Sequence, residues 1–166
     1  MIKTIDEDTI EFAYDFYFKL DESQVEEMMT ELAKKQPMIV LFFTGTSKDL
    51  KNPYQLYVLF RFALMVDYCF KNCYGIIPAI TKQQVKDKIN AVIKDIKDNP
   101  EPSGNVNYPK EMALAGQVEL LKFIEARCEV FIVTFPDFPE EEACAIFDGI
   151  ITMTFLYQRE VEKMNQ

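Results

Sequence analysis

The sequence predicts an all-α fold, because one long apolar stretch lies between helix-boundary residues and several others repeat apolar residues at helical spacing. The stretch 53–74 follows Asn52, a good N-cap, opens with Pro53, and precedes Gly75, which can end a helix in the left-handed conformation. Most side chains between these boundaries are apolar or aromatic, so this helix needs cover on several sides. We therefore expect residues 1–166 to form a single domain, a bundle of six or seven helices around a buried central helix at 53–74.

Three further segments repeat apolar residues three or four positions apart, as on the buried face of a helix. They span about 5–20, 22–35 and 82–98. In the first of them the predicted buried stripe includes Phe12 and Phe16. Pairs with capping-box spacing mark the predicted starts of these helices: Thr4 with Glu7, Asp21 with Gln24, and Thr81 with Gln84.

The other segments leave the fold class partly open. A helix is predicted from Pro109, but its end is undefined, and a last helix is predicted to run to about Glu162. The alternative to the all-α fold is an α/β arrangement in which residues 38–43 and 129–135 are paired strands, since short apolar runs suit either structure. Between the helices, residues 99–109 hold three prolines and one glycine and predict the longest loop.

The composition excludes several classes of catalytic site. The chain has no histidine, which removes Ser-His-Asp and Cys-His catalysis and most catalytic zinc sites, and it has no glycine-rich phosphate loop. Cys69 and Cys73 lie four positions apart, but both fall in the middle of the apolar arc of the 53–74 helix, where buried cysteines are core residues. We expect neither a metal nor a cofactor, and a non-enzymatic role is favoured although catalytic activity stays undecided.

The charge and the N-terminus indicate where the protein works. The net charge of −9 argues against nucleic acid and anionic membrane surfaces as partners. The first residues do not follow the pattern of a secretory signal, and no uninterrupted apolar run approaches the roughly 20 residues of a membrane span. We therefore expect a cytoplasmic protein with reduced cysteines.

The acidic residues are concentrated near the N-terminus. Residues 1–31 hold ten acids and two lysines, a balance of −8, whereas the rest of the chain is close to neutral. This predicts an interaction surface for a basic protein partner, as in an adaptor or immunity-like protein, although a merely solubilising face has the same composition. The lysines at 82, 86 and 97 could also face this surface, within the chain or across a homodimer. The predicted interaction residues are Asp8, Glu11, Asp15, Glu22, Glu26 and Glu27.

A second stripe on the 53–74 helix suggests an alternative function. Tyr57, Arg61 and Tyr68 share one side of the helical projection. An arginine among aromatic rings can bind a carboxylate or phosphate, so the alternative is a helical bundle that binds a small anionic ligand. A structural arginine paired with a neighbouring helix would leave the same pattern.

Overall fold

The computed structural model describes residues 2–99 and 108–166, and these residues form eight α-helices and one short 3₁₀-helix. The all-α prediction is therefore confirmed. Most of the loop predicted at 99–109, residues 100–107, lies outside the described part of the chain. The helices are α1 (Glu7–Phe18), α2 (Glu22–Lys35), α3 (Pro37–Thr46), α4 (Pro53–Tyr74), α5 (Lys82–Asp98), α6 (Tyr108–Ala115), α7 (Val118–Thr134) and α8 (Glu140–Met164), with the 3₁₀-helix at Ser47–Asp49.

The ends of α4 follow the local chemistry that its sequence predicts. The Asn52 side chain accepts a hydrogen bond from the Tyr54 amide at 2.9 Å, and the Gln55 side chain accepts one from the Asn52 amide at 3.1 Å. Pro53 occupies the first helical position, where no amide donor is needed. At the other end Gly75 has a φ of 85° and a ψ of −155°, a conformation that only glycine adopts readily.

The capping boxes of α2 and α5 are confirmed, but the one predicted for α1 is wrong. Thr4 and Glu7 do not cap that helix. Asp6 is its N-cap, and the Asp6 carboxylate accepts a hydrogen bond from the Thr9 amide at 2.8 Å. A carboxylate is as good a cap as a threonine hydroxyl and carries a charge that the helix dipole favours, so the helix begins two residues later than the threonine would place it.

The predicted count of six or seven helices is wrong because the chain breaks where one helix was expected. The segment after Pro109 forms two helices, α6 and α7, separated by Gly116 and Gln117. Gly116 has a φ of 87°, which ends α6 and redirects the chain. A lone glycine inside an apolar periodic segment is compatible with a continuous helix, so the sequence pattern alone does not predict this break.

The α/β alternative is also wrong, since the described residues contain no strand. Residues 38–43 belong to α3, and residues 129–134 continue α7. In α3 the two buried side chains are Ile39 and Phe43, one helical turn apart. Their spacing places both on a single helix face, where the Phe43 ring would lie 3.3 Å from a β-carbon built on Gly149 of α8.

Two helices share most of the buried interior. In α4, 11 of 22 residues are buried, and in α8, 14 of 25 are buried. These helices pack against each other, with the rings of Phe70 and Tyr157 in an edge-on contact at 5.4 Å. Helices α1 and α2 cover one side of α4, while α6 and α7 pack on α8. Among the described residues, α4 and α8 therefore contribute the largest numbers of buried side chains.

Two buried glutamines, Gln36 and Gln117, tie distant segments of the chain to this core. The Gln36 side chain donates hydrogen bonds to the carbonyls of Ile77 (3.2 Å) and Pro78 (3.0 Å) and accepts one from the Ile80 amide (2.9 Å). Gln117 acts similarly for the N-terminal segment, because its side chain accepts a bond from the Ile5 amide at 3.1 Å. The side-chain amides of Gln36 and Gln117 thus provide hydrogen-bond partners for backbone groups of irregular segments, which have no partner in a helix or sheet.

Candidate functional site

A groove with a volume of about 460 Å³ runs between α1, α2 and α4. Its apolar lining comes from all three helices, so the groove depends on how α1 and α2 lie across α4. The apolar and aromatic residues that line it are Phe16, Tyr17, Leu20, Met28, Leu32 and Leu64.

The polar lining of this N-terminal groove mixes acids with two lysines. On α2, Glu27 and Glu31 stand at the rim with Gln24 and Lys35, and both glutamates are exposed. Glu31 forms an exposed ion pair with Lys34 at 2.6 Å. Because exposed carboxylates here border an apolar surface, the groove suits a ligand that is apolar at one point and cationic at another.

The rings of Phe12 and Phe16 stand exposed beside the groove, contrary to the prediction that they belong to the buried stripe of α1. Phe12 is 56% and Phe16 42% exposed, and the two rings stack with centroids 6.2 Å apart. The buried residues of α1 are Ile10, Ala13 and Tyr17 instead. Both sets have helical spacing, so the sequence pattern alone does not choose between them.

One acid, Asp67, lies at the floor of the groove and is nearly buried. Its carboxylate accepts a hydrogen bond from the Tyr157 hydroxyl at 2.8 Å and is also bound by Lys71. Burial, followed by the nearby Asp67 charge, raises the pKa of Tyr17 to about 12, and the same causes raise the pKa of Tyr157. Because both donors bind the Asp67 carboxylate, its hydrogen-bonding capacity is satisfied within the chain. Asp67 therefore forms part of the groove floor and is not a strong site for a cationic ligand.

All six predicted interaction residues are exposed on α1 and α2. Among the described residues, no ion pair joins the acids of residues 6–31 to a lysine of α5, which packs on α3 and α8. The acidic charge is therefore not neutralised by that helix within the chain. The residues are Asp8, Glu11 and Asp15 on α1, and Glu22, Glu26 and Glu27 on α2.

The structure brings together two of the three residues predicted to bind an anion. The Arg61 guanidinium lies 6.0 Å from the Tyr57 ring centre and donates through Nη2 to the Leu20 carbonyl at 2.9 Å. The Tyr57 hydroxyl donates to Glu26, and this hydrogen bond raises the pKa of Tyr57 to about 12. Arg61 is thus engaged by a backbone carbonyl at the end of α1, and its buried Nε has no hydrogen-bond partner among the described residues.

Tyr68 lies apart from that pair. Its ring packs on α1, 5.7 Å from the ring of Phe12 and 6.1 Å from that of Tyr17. The groove-lining residue Leu64 lies between Arg61 and Tyr68 on α4. A ligand contacting all three predicted residues would therefore have to span the groove, and their ligand-binding role stays a prediction.

The sequence reasoning missed part of the site. Asp67 is not among the residues predicted from the sequence, because its partner Tyr157 lies 90 positions away in the chain and no local pattern links them. The exposure of the two phenylalanines was predictable from a helical projection of α1, because Phe12 and Phe16 project beside the acids Asp8 and Asp15 rather than opposite them. A helix face that combines exposed rings and acids is unusual for a solubilising surface.

Within residues 2–99 and 108–166, no group of three or more His, Cys, Asp or Glu side chains has an arrangement that could hold a metal ion. None of the helices in that part of the chain is both long and apolar enough to cross a membrane. Cys69 is fully buried, and burial raises the pKa of its thiol to about 12.

Comparison of the chain with protein-family models, with curated proteins and with solved structures finds no match. A function for this protein therefore rests on the geometry and chemistry of its own surface.

Proposed function

We propose that this chain is a non-enzymatic protein–protein interaction module, adaptor-like or immunity-like, whose acidic N-terminal surface docks a basic segment of a partner protein. The acidic surface consists of the six exposed acids of α1 and α2 together with the groove beside them. In this proposal α4 is the central helix of the bundle. Its residues Leu64 and Asp67 line the groove and form the floor on which the partner would rest.

The observation that carries the proposal is the position of two exposed phenyl rings among acids. Phe16 lines the groove and Phe12 stacks on it, and both rings remain about half exposed, although a folded chain gains by burying such rings. Neighbouring apolar side chains left in water beside a concave surface are typical of interaction sites. A solubilising face would need the acids alone.

The chemistry of the surface defines the partner. An apolar side chain of the partner would enter the groove against Leu20 and Leu64, while Lys or Arg residues beside it would meet Glu27 and the acids of α1. The apolar contact supplies most of the affinity, and the acids steer the encounter and fix its register. A short amphipathic basic helix has this combination of groups.

Binding of a labelled basic amphipathic helical peptide, measured by fluorescence anisotropy at low and moderate salt, tests the proposal. We expect the native chain to bind this peptide, and the affinity to fall at least tenfold when Asp8, Glu11 and Asp15 are all replaced by lysine. The replacements Phe12→Ser and Phe16→Ser together should weaken binding at any salt concentration, because they remove the apolar anchor. The matched control is Glu129→Lys, an exposed charge reversal on α7, which should leave the affinity unchanged.

Equal affinity for an acidic peptide of the same apolar pattern would contradict the proposal, as would binding that ignores both salt and the triple charge reversal. Either result would assign the acids of α1 and α2 to solubility alone.

The anionic-ligand alternative has weaker support. The Arg61 guanidinium already donates to the Leu20 carbonyl, and Glu26 at the hydroxyl of Tyr57 would repel an anion. We therefore do not propose it as a second function.

A further inference from the structure

Helix α5 has an apolar stripe that the rest of the chain does not cover. Its buried residues are only Val85 and Lys88. The buried lysine holds the helix in place through Glu111, at 3.3 Å, and through the ring of Phe155, whose centre is 4.1 Å away. Beyond these anchors the stripe continues into solvent, with Ile89, Ile93 and Ile96 being 38%, 45% and 54% exposed.

This stripe borders a second groove, between α3 and α5, with a volume of about 410 Å³. Its walls are apolar, and Leu41 on the α3 side is 59% exposed. Lys82 and Lys86 stand at its rim on the α5 side. The lining of the α3–α5 groove also includes the exposed Asp49 on the α3 side. The groove therefore resembles the N-terminal groove in its apolar surface but has two lysines on α5 where that groove has exposed acids on α2.

The lysines of α5 follow the stripe along its solvent side. At 100° per residue, Lys86 and Lys97 project next to Ile93, while the buried Val85 lies on the other side of the stripe. Neither of these lysines forms an ion pair with any residue in the described parts of the chain. The surface thus offers unpaired cations beside exposed apolar side chains.

Symmetry and charge together decide what can cover this surface. An antiparallel two-fold contact of α5 with its own copy would set the same lysine-bearing flank against itself, so Lys86 would approach Lys97 of the second molecule. Such like-charge contacts are destabilising. An acidic apolar helix face is the complementary occupant.

The chain itself carries such a face on α1. The rings of Phe12 and Phe16 are exposed, and Asp8, Glu11 and Asp15 project on the side of those rings that faces away from the core. On α1, as on α5, an exposed apolar stripe lies between the core and a flank of like charges. The flank of α1 is acidic and that of α5 is basic.

We propose that the α3–α5 groove docks the α1 face of a second copy of this chain, so that copies associate head to tail. This inference rests on the proposed function of the acidic surface, and it names the basic partner of that surface as the chain's own α5. Because the two faces of the contact differ, each added copy leaves one face of each kind open, and the assembly closes into a ring or continues as a chain.

Sedimentation velocity of the full chain over a range of concentrations, at low and moderate salt, tests this proposal. We expect the native chain to associate as its concentration rises and to dissociate as salt rises. Two variants each block one face: Asp8→Lys with Glu11→Lys reverses the α1 face, and Lys82→Glu with Lys86→Glu reverses the α3–α5 groove. Each variant alone should be monomeric, whereas an equimolar mixture should associate again, because the native α1 face of one variant meets the native groove of the other and the two reversed faces also have opposite charges.

A chain carrying all four replacements provides a charge-swap rescue, because its two faces are complementary again with opposite sign. We expect it to associate like the native chain. All four positions are exposed, and circular dichroism with thermal melting of each variant checks that the fold is retained.

The proposal fails if the native chain is monomeric at every concentration at low salt, or if both single-face variants still associate, which would indicate a symmetric contact elsewhere. It also fails if the native chain stays monomeric but binds anionic lipid vesicles through Lys82 and Lys86, which would make α5 a membrane-surface helix. Binding of the basic peptide to the native chain is measured separately. Peptide binding by a monomeric chain would reject this inference and leave the proposed function standing.

Discussion

At the scale of single residues, the most unusual acid is Asp148 on α8. Burial raises the pKa of Asp148 to about 6 from an ordinary value of 3.8, even though a hydrogen bond from Tyr108 partly offsets the effect. The folded chain therefore binds a proton at this carboxyl more tightly than the unfolded chain does. The resulting stabilisation is fully present below about pH 4 and is lost as the pH rises through about 6.

Replacing Asp148 by asparagine should stabilise the protein at neutral pH. The amide has no charge to desolvate, and its oxygen can still accept a hydrogen bond from Tyr108. We expect the free energy of unfolding to rise by roughly 1–2 kcal/mol at about pH 7.5, a shift discounted for partial exposure, and to be unchanged at about pH 4. Urea denaturation at both pH values measures the difference.

The control for that experiment is Asp15→Asn, the same chemical change at an exposed position of α1. It should change the free energy of unfolding by less than about 0.5 kcal/mol at either pH. A gain for Asp148→Asn that persists undiminished at low pH would show that repacking, and not the charge, is responsible.

Residue chemistry was predictable from the sequence where it is local. The cap of α4 by Asn52 and the box formed by Asp21 with Gln24 join residues two or three positions apart, so their spacing alone predicts them. The partners of Asp67 and of Arg61 are not predictable in this way. Tyr157 and the Leu20 carbonyl reach them only because α8 and the end of α1 pack on α4.

At the scale of helices, the break between α6 and α7 depends on Gly116. Its φ of 87° is strained for any other residue, and a β-carbon there would lie 2.8 Å from Cγ of Gln158. That side chain is buried and accepts a hydrogen bond from Gln117 at 2.9 Å, so it cannot move aside freely. We expect Gly116→Ala to lower the free energy of unfolding by roughly 2–3 kcal/mol, as measured by thermal or urea denaturation.

Gly45 near the end of α3 is the matched control. A β-carbon at Gly45 has open space within 4 Å, and its φ is not positive. Alanine there should be neutral or should stabilise the protein by up to about 1 kcal/mol, because glycine is a poor helix former. If the two replacements had equal effects, the strain at Gly116 would not be what ends α6.

The predicted helices show which features the spacing of apolar residues can predict. It placed α2, α4 and α5 close to their observed bounds, because each has caps at its start and a long apolar stripe. It could not choose which stripe of α1 faces the core, since Ile10 and Tyr17 have the same helical character as Phe12 and Phe16. That choice is made by the neighbouring helices.

At the scale of the whole molecule, the buried amide of Gln36 couples two distant parts of the chain. Gln36 lies between α2 and α3, whereas the groups that it binds, from Ile77 to Ile80, lie in the connection between α4 and α5. Replacing Gln36 by leucine removes three hydrogen bonds and leaves buried backbone groups without partners. We expect a loss of roughly 2–4 kcal/mol in the free energy of unfolding.

Hydrogen exchange of the Ile80 amide locates that effect. In the native chain this amide donates to Gln36 at 2.9 Å and should exchange slowly, whereas in the leucine variant its protection should fall more than that of amides in α8. Uniform loss of protection throughout the chain would mean that the glutamine supports the fold as a whole and not this connection.

The whole architecture was predictable only in outline. The bounded apolar stretch at 53–74 and the helical spacing of apolar residues elsewhere are enough to indicate helices packed around a core. The uncharged run at 149–157 indicates that α8 is heavily buried, as the structure confirms, but the sequence does not show which helices it packs against, because those partners lie far away in the chain. The two grooves likewise exist only between helices.

The two buried cysteines, Cys69 and Cys128, lie at different helix contacts, so chemical labelling of each one reports on its own contact. Cys69 faces the backbone of α1, with its sulfur 4.0 Å from the Thr9 carbonyl, and Cys128 lies on α7 where it meets α8. Burial raises the pKa of both thiols to about 12, so an alkylating reagent at neutral pH finds neither a thiolate nor a path to the sulfur. A label at Cys69 or Cys128, as distinct from one at the partly buried Cys73 or Cys144, therefore records an opening of the helix packing beside it. The ratio of the labelling rates of Cys69 and Cys128 shows which of the two helix contacts opens more often.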